Sequence, residues 1–141
     1  MTEQDRNLGA RWFEEVWNKK RRDAIAEMLS PDGVLYDGAN KSIGPDGFYP
    51  FFDRIHNTFT DIRATVHDTI AEGDKVCFRW SFEGTHSGDG LGMPATNRRV
   101  ATTGMGIIRV KDSKMIEAWQ NWDMLGLLEQ ITGQDRARTY V

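Results

Sequence analysis

The sequence is poor in the residues that build covalent or metal-bound frameworks. It holds one cysteine, Cys77, which excludes an intrachain disulfide network and any multi-cysteine zinc site. The three histidines, His56, His67 and His86, share no metal-ligand spacing, so no metal site is expected. No run of about 20 apolar residues occurs, and no membrane-spanning helix is expected. Positive charge is not in excess: 18 Lys and Arg stand against 21 Asp and Glu, a net charge of −3. That argues against nucleic acid as a partner, because phosphate binding needs a basic face. The single basic run, Lys19-Lys20-Arg21-Arg22, reads as a solvated corner between two helices. Residues Met1 to Arg6 are polar and mixed in charge, without the apolar stretch of a secretory signal, which points to the cytoplasm.

Aromatic residues are plentiful, with 5 Trp and 7 Phe in 141 residues. They fill cores, and they also line pockets for flat organic ligands. A chain of this length makes one domain whose core needs no staples. It is expected over residues 1–133, with 134–141 as a C-terminal tail. Thr2-Glu3-Gln4-Asp5 has the pattern of a capping box, and Leu8, Trp12, Phe13, Val16 and Trp17 follow helical spacing after it. A second helix is predicted over 21–29, stopped by Ser30-Pro31-Asp32-Gly33. Val34-Leu35-Tyr36 reads as a short strand. Pro45 opens a helix that carries Phe48, Phe51, Phe52, Ile55 and Phe59 at a helical period.

After that helix the period becomes two. Ile62, Ala64, Val66, Asp68 and Ile70 share one face, with His67 on the other. Val76, Phe78, Trp80 and Phe82 then alternate with Cys77, Arg79, Ser81 and Glu83. A Gly-rich segment over 84–99 reads as a flexible loop or lid. Two strands over about 100–110 and 115–123 follow, then a helix holding Leu125, Leu128 and Ile131 with Gly133 as its stop. Early helices and late strands make an α+β pattern, with helices covering the concave face of a curved antiparallel sheet. Such a cone has an apolar interior.

Asp123 is the leading chemical candidate. It ends the last strand among apolar neighbours, where a carboxylate loses solvation and becomes a stronger base. The alternative is that Asp123 simply caps the final helix. Trp119, Asn121 and Asp123 share one face by period two. Across the turn at Asp112-Ser113, a two-residue loop pairs Asp123 with Thr102, and a bulged loop pairs it with Ala101. The bulged register is preferred. It sets Met105, Ile107 and Arg109 on the face of Trp119, Asn121 and Asp123, with Gly104 and Gly106 opposite. Arg79 belongs either to a surface ion-pair row or to the pocket, where it could orient an anion. His86 could reach the pocket mouth, and Cys77 reads as a buried, inert thiol.

Several segments in order carry a family resemblance. They are Phe59-Thr60-Asp61-Ile62-Arg63, Ala71-Glu72-Gly73-Asp74-Lys75-Val76, Gly84-Thr85-His86-Ser87-Gly88, Gly92-Met93-Pro94-Ala95-Thr96 and Ile116 through Leu128. Together they resemble the SnoaL-like polyketide cyclase (ester cyclase) family, within the cone-shaped NTF2-like group. The resemblance implies an intramolecular aldol condensation that closes a ring, without cofactor or metal, and with Asp123 as the acid/base. Where such cyclases place a histidine and a glutamine on the strand before the aspartate, this chain has Arg109 and Ile107. The resemblance also implies a homodimer paired through the sheets, and apolar positions read as outward, such as Ile108, Ala118 and Trp122, agree with it.

The resulting expectation is a cofactor-independent cyclase or isomerase acting on a hydrophobic carbonyl compound. Asp123 is the catalyst, and Asn121, Trp119, Arg79, Met105, Arg109 and His86 line the pocket. Trp12, Phe13, Trp17 and Phe52 close its helical side. A non-catalytic module that binds a small molecule is the reading from another class.

Overall fold

The alternating segments form six strands of one curved, open sheet in a computed structural model that describes residues 1–134. The expected tail over 134–141 lies, beyond Gln134, outside the described residues. The helical elements are α1 (Glu3–Arg6), α2 (Leu8–Trp12), α3 (Ala24–Met28), α4 (Gly44–His56) and α5 (Met124–Thr132). A π-helical stretch, Phe13–Asn18, prolongs α2. The strands are β1 (Leu29–Asp37), β2 (Asn40–Ile43), β3 (Arg63–Glu72), β4 (Lys75–Thr85), β5 (Arg99–Lys111) and β6 (Lys114–Trp122). Their order across the sheet is β2-β1-β6-β5-β4-β3.

The expected α+β architecture is present, with three differences. First, β1 runs parallel to β6 within an otherwise antiparallel sheet. Second, α3 is shorter than 21–29, and the Ser30–Gly33 turn chemistry appears as a bulge inside β1. Leu29 pairs with Met115 and Val34 with Glu117, so the four residues between are accommodated against one. Third, β2 was not legible in the pattern. It pairs back on β1 through a turn at Gly38, whose φ of 59° suits glycine.

Two further bulges decide which side chains face inward. Asp112 and Ser113 both have positive φ, 53° and 62°, so the β5–β6 turn is the two-residue form with both central residues left-handed. A bulge at Ile116 then slips the register by one, pairing Met105 with Asn121 and Ile107 with Trp119. Asp123 therefore stands opposite Thr103, bonding its carbonyl from the backbone N–H at 3.2 Å. Neither expected register is observed. A bulge at His67 likewise changes the phase of β3, so Ile70 turns outward and is 71% exposed.

The inner face of the sheet carries Phe78, Trp80, Ile108 and Val110, all buried against Leu8, Trp12, Phe13, Val16 and Phe48. Ile108, Ala118 and Trp122, expected to point outward, face this inner side: Ile108 pairs with Ala118, and Gly104 with Trp122. The physical reason lies in Gly104 and Gly106. Without side chains on the inner face of β5, they let the rings of Trp80 and Phe78 lie across the strand. A Cβ at Gly104 would meet Trp80 Cε2 at 2.6 Å and Trp122 Cβ at 2.7 Å. Gly104→Ala is expected to cost about 1–3 kcal/mol through overpacking, read as a lower urea midpoint at unchanged slope.

Candidate active site

Helix α2 with its π-helical extension, helix α4 and strands β1, β2, β4, β5 and β6 border a cavity of about 400 Å³. Trp12, Phe13, Trp17, Phe48 and Phe51 form its helical wall, and Phe78, Ile108, Ala118, Gln120 and Trp122 its sheet wall. Helical spacing puts the first set on one side, and period two puts the second on the inner sheet face. A smaller chamber of about 40 Å³ adjoins it, sharing Phe13, Trp17, Phe51, Gln120 and Trp122, and reaching Trp80, Phe59 and Leu127.

One carboxyl lies in this aromatic enclosure, that of Asp37. It ends β1 beside Gln120 of β6, and follows Leu35 on the inward alternation. Trp122 Nε1 donates to both its oxygens, at 3.0 Å to Oδ1 and 3.3 Å to Oδ2. Burial pushes the Asp37 carboxyl above the ordinary carboxylate value, and the Trp122 N–H, which favours the charged form, offsets only part of that. Asn40, Lys41, Ser42, Arg54 and Gln120 are among the cavity's other polar groups. A half-desolvated carboxylate held by one indole N–H is equipped to take a proton from carbon and return it to oxygen.

Asp123 occupies a different setting. It is exposed, and its Oδ1 accepts from Gly126 N at 2.9 Å as the N-cap of α5. It borders a second cleft of about 380 Å³, together with Arg63, Thr65, Ser81, Glu83 and Thr103. It is not among the residues lining the aromatic cavity. Of the other expected lining residues, Trp12, Phe13 and Trp17 line the cavity, and Phe52 stands behind Trp17 with its ring stacked at 6.0 Å. Trp119 contributes to the wall, while its ring stacks on Tyr36 at 5.9 Å. Asn121, Met105, Arg79 and Arg109 lie on the outer face of the sheet. There Arg79 pairs with Asp68 at 2.7 Å, and Arg109 with Asp74 at 3.0 Å and Glu117 at 2.8 Å.

His86 is fully buried away from the cavity. Its Nδ1 accepts from Thr96 N at 3.2 Å and lies 3.0 Å from the Thr96 hydroxyl. With Ser87 and Gly88 N–H donating to Thr58 O at 3.0 Å, this pins the Gly-rich segment to the end of α4. The segment expected as a flexible loop or lid is thus held at its start, while residues 94–99 are exposed.

Asp37, Gln120 and Trp122 are the site residues that sequence reasoning missed. Extending β1 one residue past Tyr36 would have placed Asp37 on the inner face by alternation. Among the described residues no group of His, Cys, Asp and Glu side chains converges as a metal site, and no helix is long and apolar enough to cross a membrane.

The profile of the SnoaL-like polyketide cyclase family matches residues 7–131. Among solved structures, a candidate SnoaL-like polyketide cyclase from Jannaschia sp. CCS1 superposes with a TM-score of 0.83 at 23% identity, over 92% of each chain. AclR from Streptomyces galilaeus, a candidate hydroxylase, gives 0.84 at 25% identity, over 98% of this chain and 87% of its own. IdmH from Streptomyces antibioticus, a candidate polyketide cyclase, gives 0.76 at 27% identity, over 92% of this chain and 99% of its own. No curated protein matches the chain in sequence.

The two carboxyls differ in what they do for stability. A carboxyl whose folded value is raised loses stability as pH climbs through its unfolded and then its folded value. Asp37→Asn removes that loss, so the variant should gain on the wild type as pH rises from about 4 to neutrality. Urea midpoints across that range read the difference. Asp123→Ala instead removes a cap and should cost about 1 kcal/mol.

Proposed function

This chain belongs to the SnoaL-like polyketide cyclase family, and on that footing we propose that it is a cofactor-independent cyclase or isomerase acting on a hydrophobic carbonyl compound, with Asp37 as acid/base. The observation that carries this reading is the single carboxyl in the aromatic cavity, made more basic by burial. The ionised Asp37 takes a proton from the carbon beside a carbonyl, leaving an enolate. In an aldol closure the enolate carbon attacks a second carbonyl, and the protonated Asp37 delivers its proton to the new alkoxide. In an isomerisation the same proton returns to a different carbon. Trp122 Nε1 stays on the carboxyl throughout, holding its orientation. The aromatic walls exclude water and take a flat substrate between them.

Asp123, which the family resemblance implies as the acid/base, is the competing candidate, supported by its place on the second cleft. The two are separated by paired variants assayed on a panel of polycyclic aromatic keto-esters. Asp37→Asn should lower kcat by about 100-fold or more while retaining ligand binding, and Asp123→Asn should stay within a few-fold. The opposite pattern assigns the chemistry to Asp123. Ligand binding with no turnover by the wild type on any substrate supports the binding-module reading. Trp122→Phe removes a bond that favours the charged carboxylate, so the acid limb of the pH–rate profile should move to higher pH.

A homodimer belongs to the same proposal. On the outer sheet face Ile70, Cys77 and Ile107 continue into Trp119 and Tyr36, one row across five strands. Met105, 55% exposed, and Ile107, 40% exposed, lie in or beside that row. A second copy would cover it, and Ile107→Lys should shift the species measured by light scattering toward monomer.

A further inference from the structure

Gln120 stands beside Asp37 and has a side-chain amide that nothing in the fold uses. The two residues are partners across the parallel β1–β6 pair. Their side chains therefore leave adjacent strands, about 4.8 Å apart, on the same inner face. On its other side Gln120 pairs with Gly106, over which the Phe78 ring lies. Gln120 is half-buried and lines both the aromatic cavity and the inner chamber. Its backbone carbonyl accepts from Gly38 N at 3.1 Å, whereas its side-chain amide makes no hydrogen bond among the described residues.

An amide without a partner is either sealed in the packing, as Trp80 Nε1 is, or turned to open space. The Gln120 amide is of the second kind, since its atoms remain open to a water-sized group. Water can satisfy such an amide, and a ligand that displaces the water inherits both its donor and its acceptor. The other donor beside Asp37 is already spent, because the Trp122 Nε1–H bonds the carboxyl itself. Asn40, Lys41 and Arg54 are exposed and lie toward the mouth of the cavity.

We propose that Gln120 is a further catalytic residue, whose Nε2–H donates to the substrate carbonyl oxygen while Asp37 takes the proton from the carbon beside that carbonyl. This rests on the proposed reading of the cavity and adds a group that reading leaves out. When the C–H bond breaks, its proton goes to the Asp37 carboxylate. Its electron pair passes into the enolate and its charge gathers on the oxygen. Ionised Asp37 has no proton to offer that oxygen. Gln120 keeps its own protons and supplies a neutral donor, whose bond strengthens as the charge grows. The pair also fixes orientation, with an amide on the oxygen and a carboxylate on the adjacent carbon, from neighbouring strands.

The test uses two naphthyl probes of similar shape. The ketone oxygen of 2-acetonaphthone accepts a hydrogen bond, and 2-ethylnaphthalene has no such group. Gln120→Met keeps the length of the side chain, removes the amide and strands no partner. The variant should bind the ketone about threefold to tenfold more weakly and the hydrocarbon equally well. In the ¹⁵N-labelled wild type the ketone should move the Gln120 side-chain amide protons downfield, and the hydrocarbon should not. That comparison stands even if the variant does not fold. In turnover of the keto-esters, Gln120→Met should lower kcat about 100-fold and leave the acid limb of the pH–rate profile in place. A residue that only oriented Asp37 would move that limb, as is expected of Trp122→Phe. Equal weakening of both probes or of neither, or a kcat within a few-fold of the wild type, overturns the inference and leaves the cavity reading standing. If neither probe binds the wild type, the cavity reading fails and the inference fails with it.

Discussion

The absence of side chains at Gly104 and Gly106 on the inner face of β5 is the constraint on which the interior depends. Trp80 lies over the first and Phe78 over the second, where a Cβ would stand 2.9 Å from Phe78 Cζ. Helix α2 then closes on Phe78 through Gly9, where a Cβ would meet the ring at 3.0 Å. Three glycines thus set the depth at which the aromatic layer sits. With the rings flat against the strand, space remains between sheet and helices for a cavity, and Trp122 is free to reach toward β1. Dense aromatic cores usually fill such space. Here the layer is thinned on one side, and the cavity is the result.

The position of Trp122 carries that geometry into chemistry. Its ring belongs to the apolar wall and its N–H to Asp37, so one residue provides both desolvation and a partial remedy for it. Burial dominates, and the carboxyl ends above its ordinary value. The carboxyls elsewhere show the contrast. Asp61, bonded by the Thr85 hydroxyl and N–H, and Asp74, bonded by Arg109, are both held below the ordinary value. There neighbouring donors favour the charged form, whereas at Asp37 burial opposes it. The same sheet therefore keeps its ion pairs outside and its single strained carboxylate equilibrium inside.

The outer face has its own order. Arg79 with Asp68, and Arg109 with Asp74 and Glu117, are exposed ion pairs of the kind that contribute little stability singly. They flank an apolar row rather than a pocket.

The sequence by itself determined the periods, most element boundaries and the aromatic core. Local signals suffice for these: alternation marks β3 to β6, the Phe spacing marks α4, and Asp123 caps α5 as its residue type allows. The tertiary structure decided which face each strand presents. That choice depends on bulges at Ser30–Gly33, His67 and Ile116, and one slipped residue exchanges inside for outside. Asn121 and Met105 share a face as expected, but that face is the outer one, because Gly104 and Gly106 take the aromatic layer on the other side with Gln120 and Trp122. The family segments in the sequence correctly announced the fold, and the resemblance pointed to Asp123 at the end of β6. Asp37 escaped because its environment is built by Trp122, 85 residues away along the chain. A pKa shift made by burial is a property of packing, and no local pattern around Tyr36-Asp37-Gly38 encodes it.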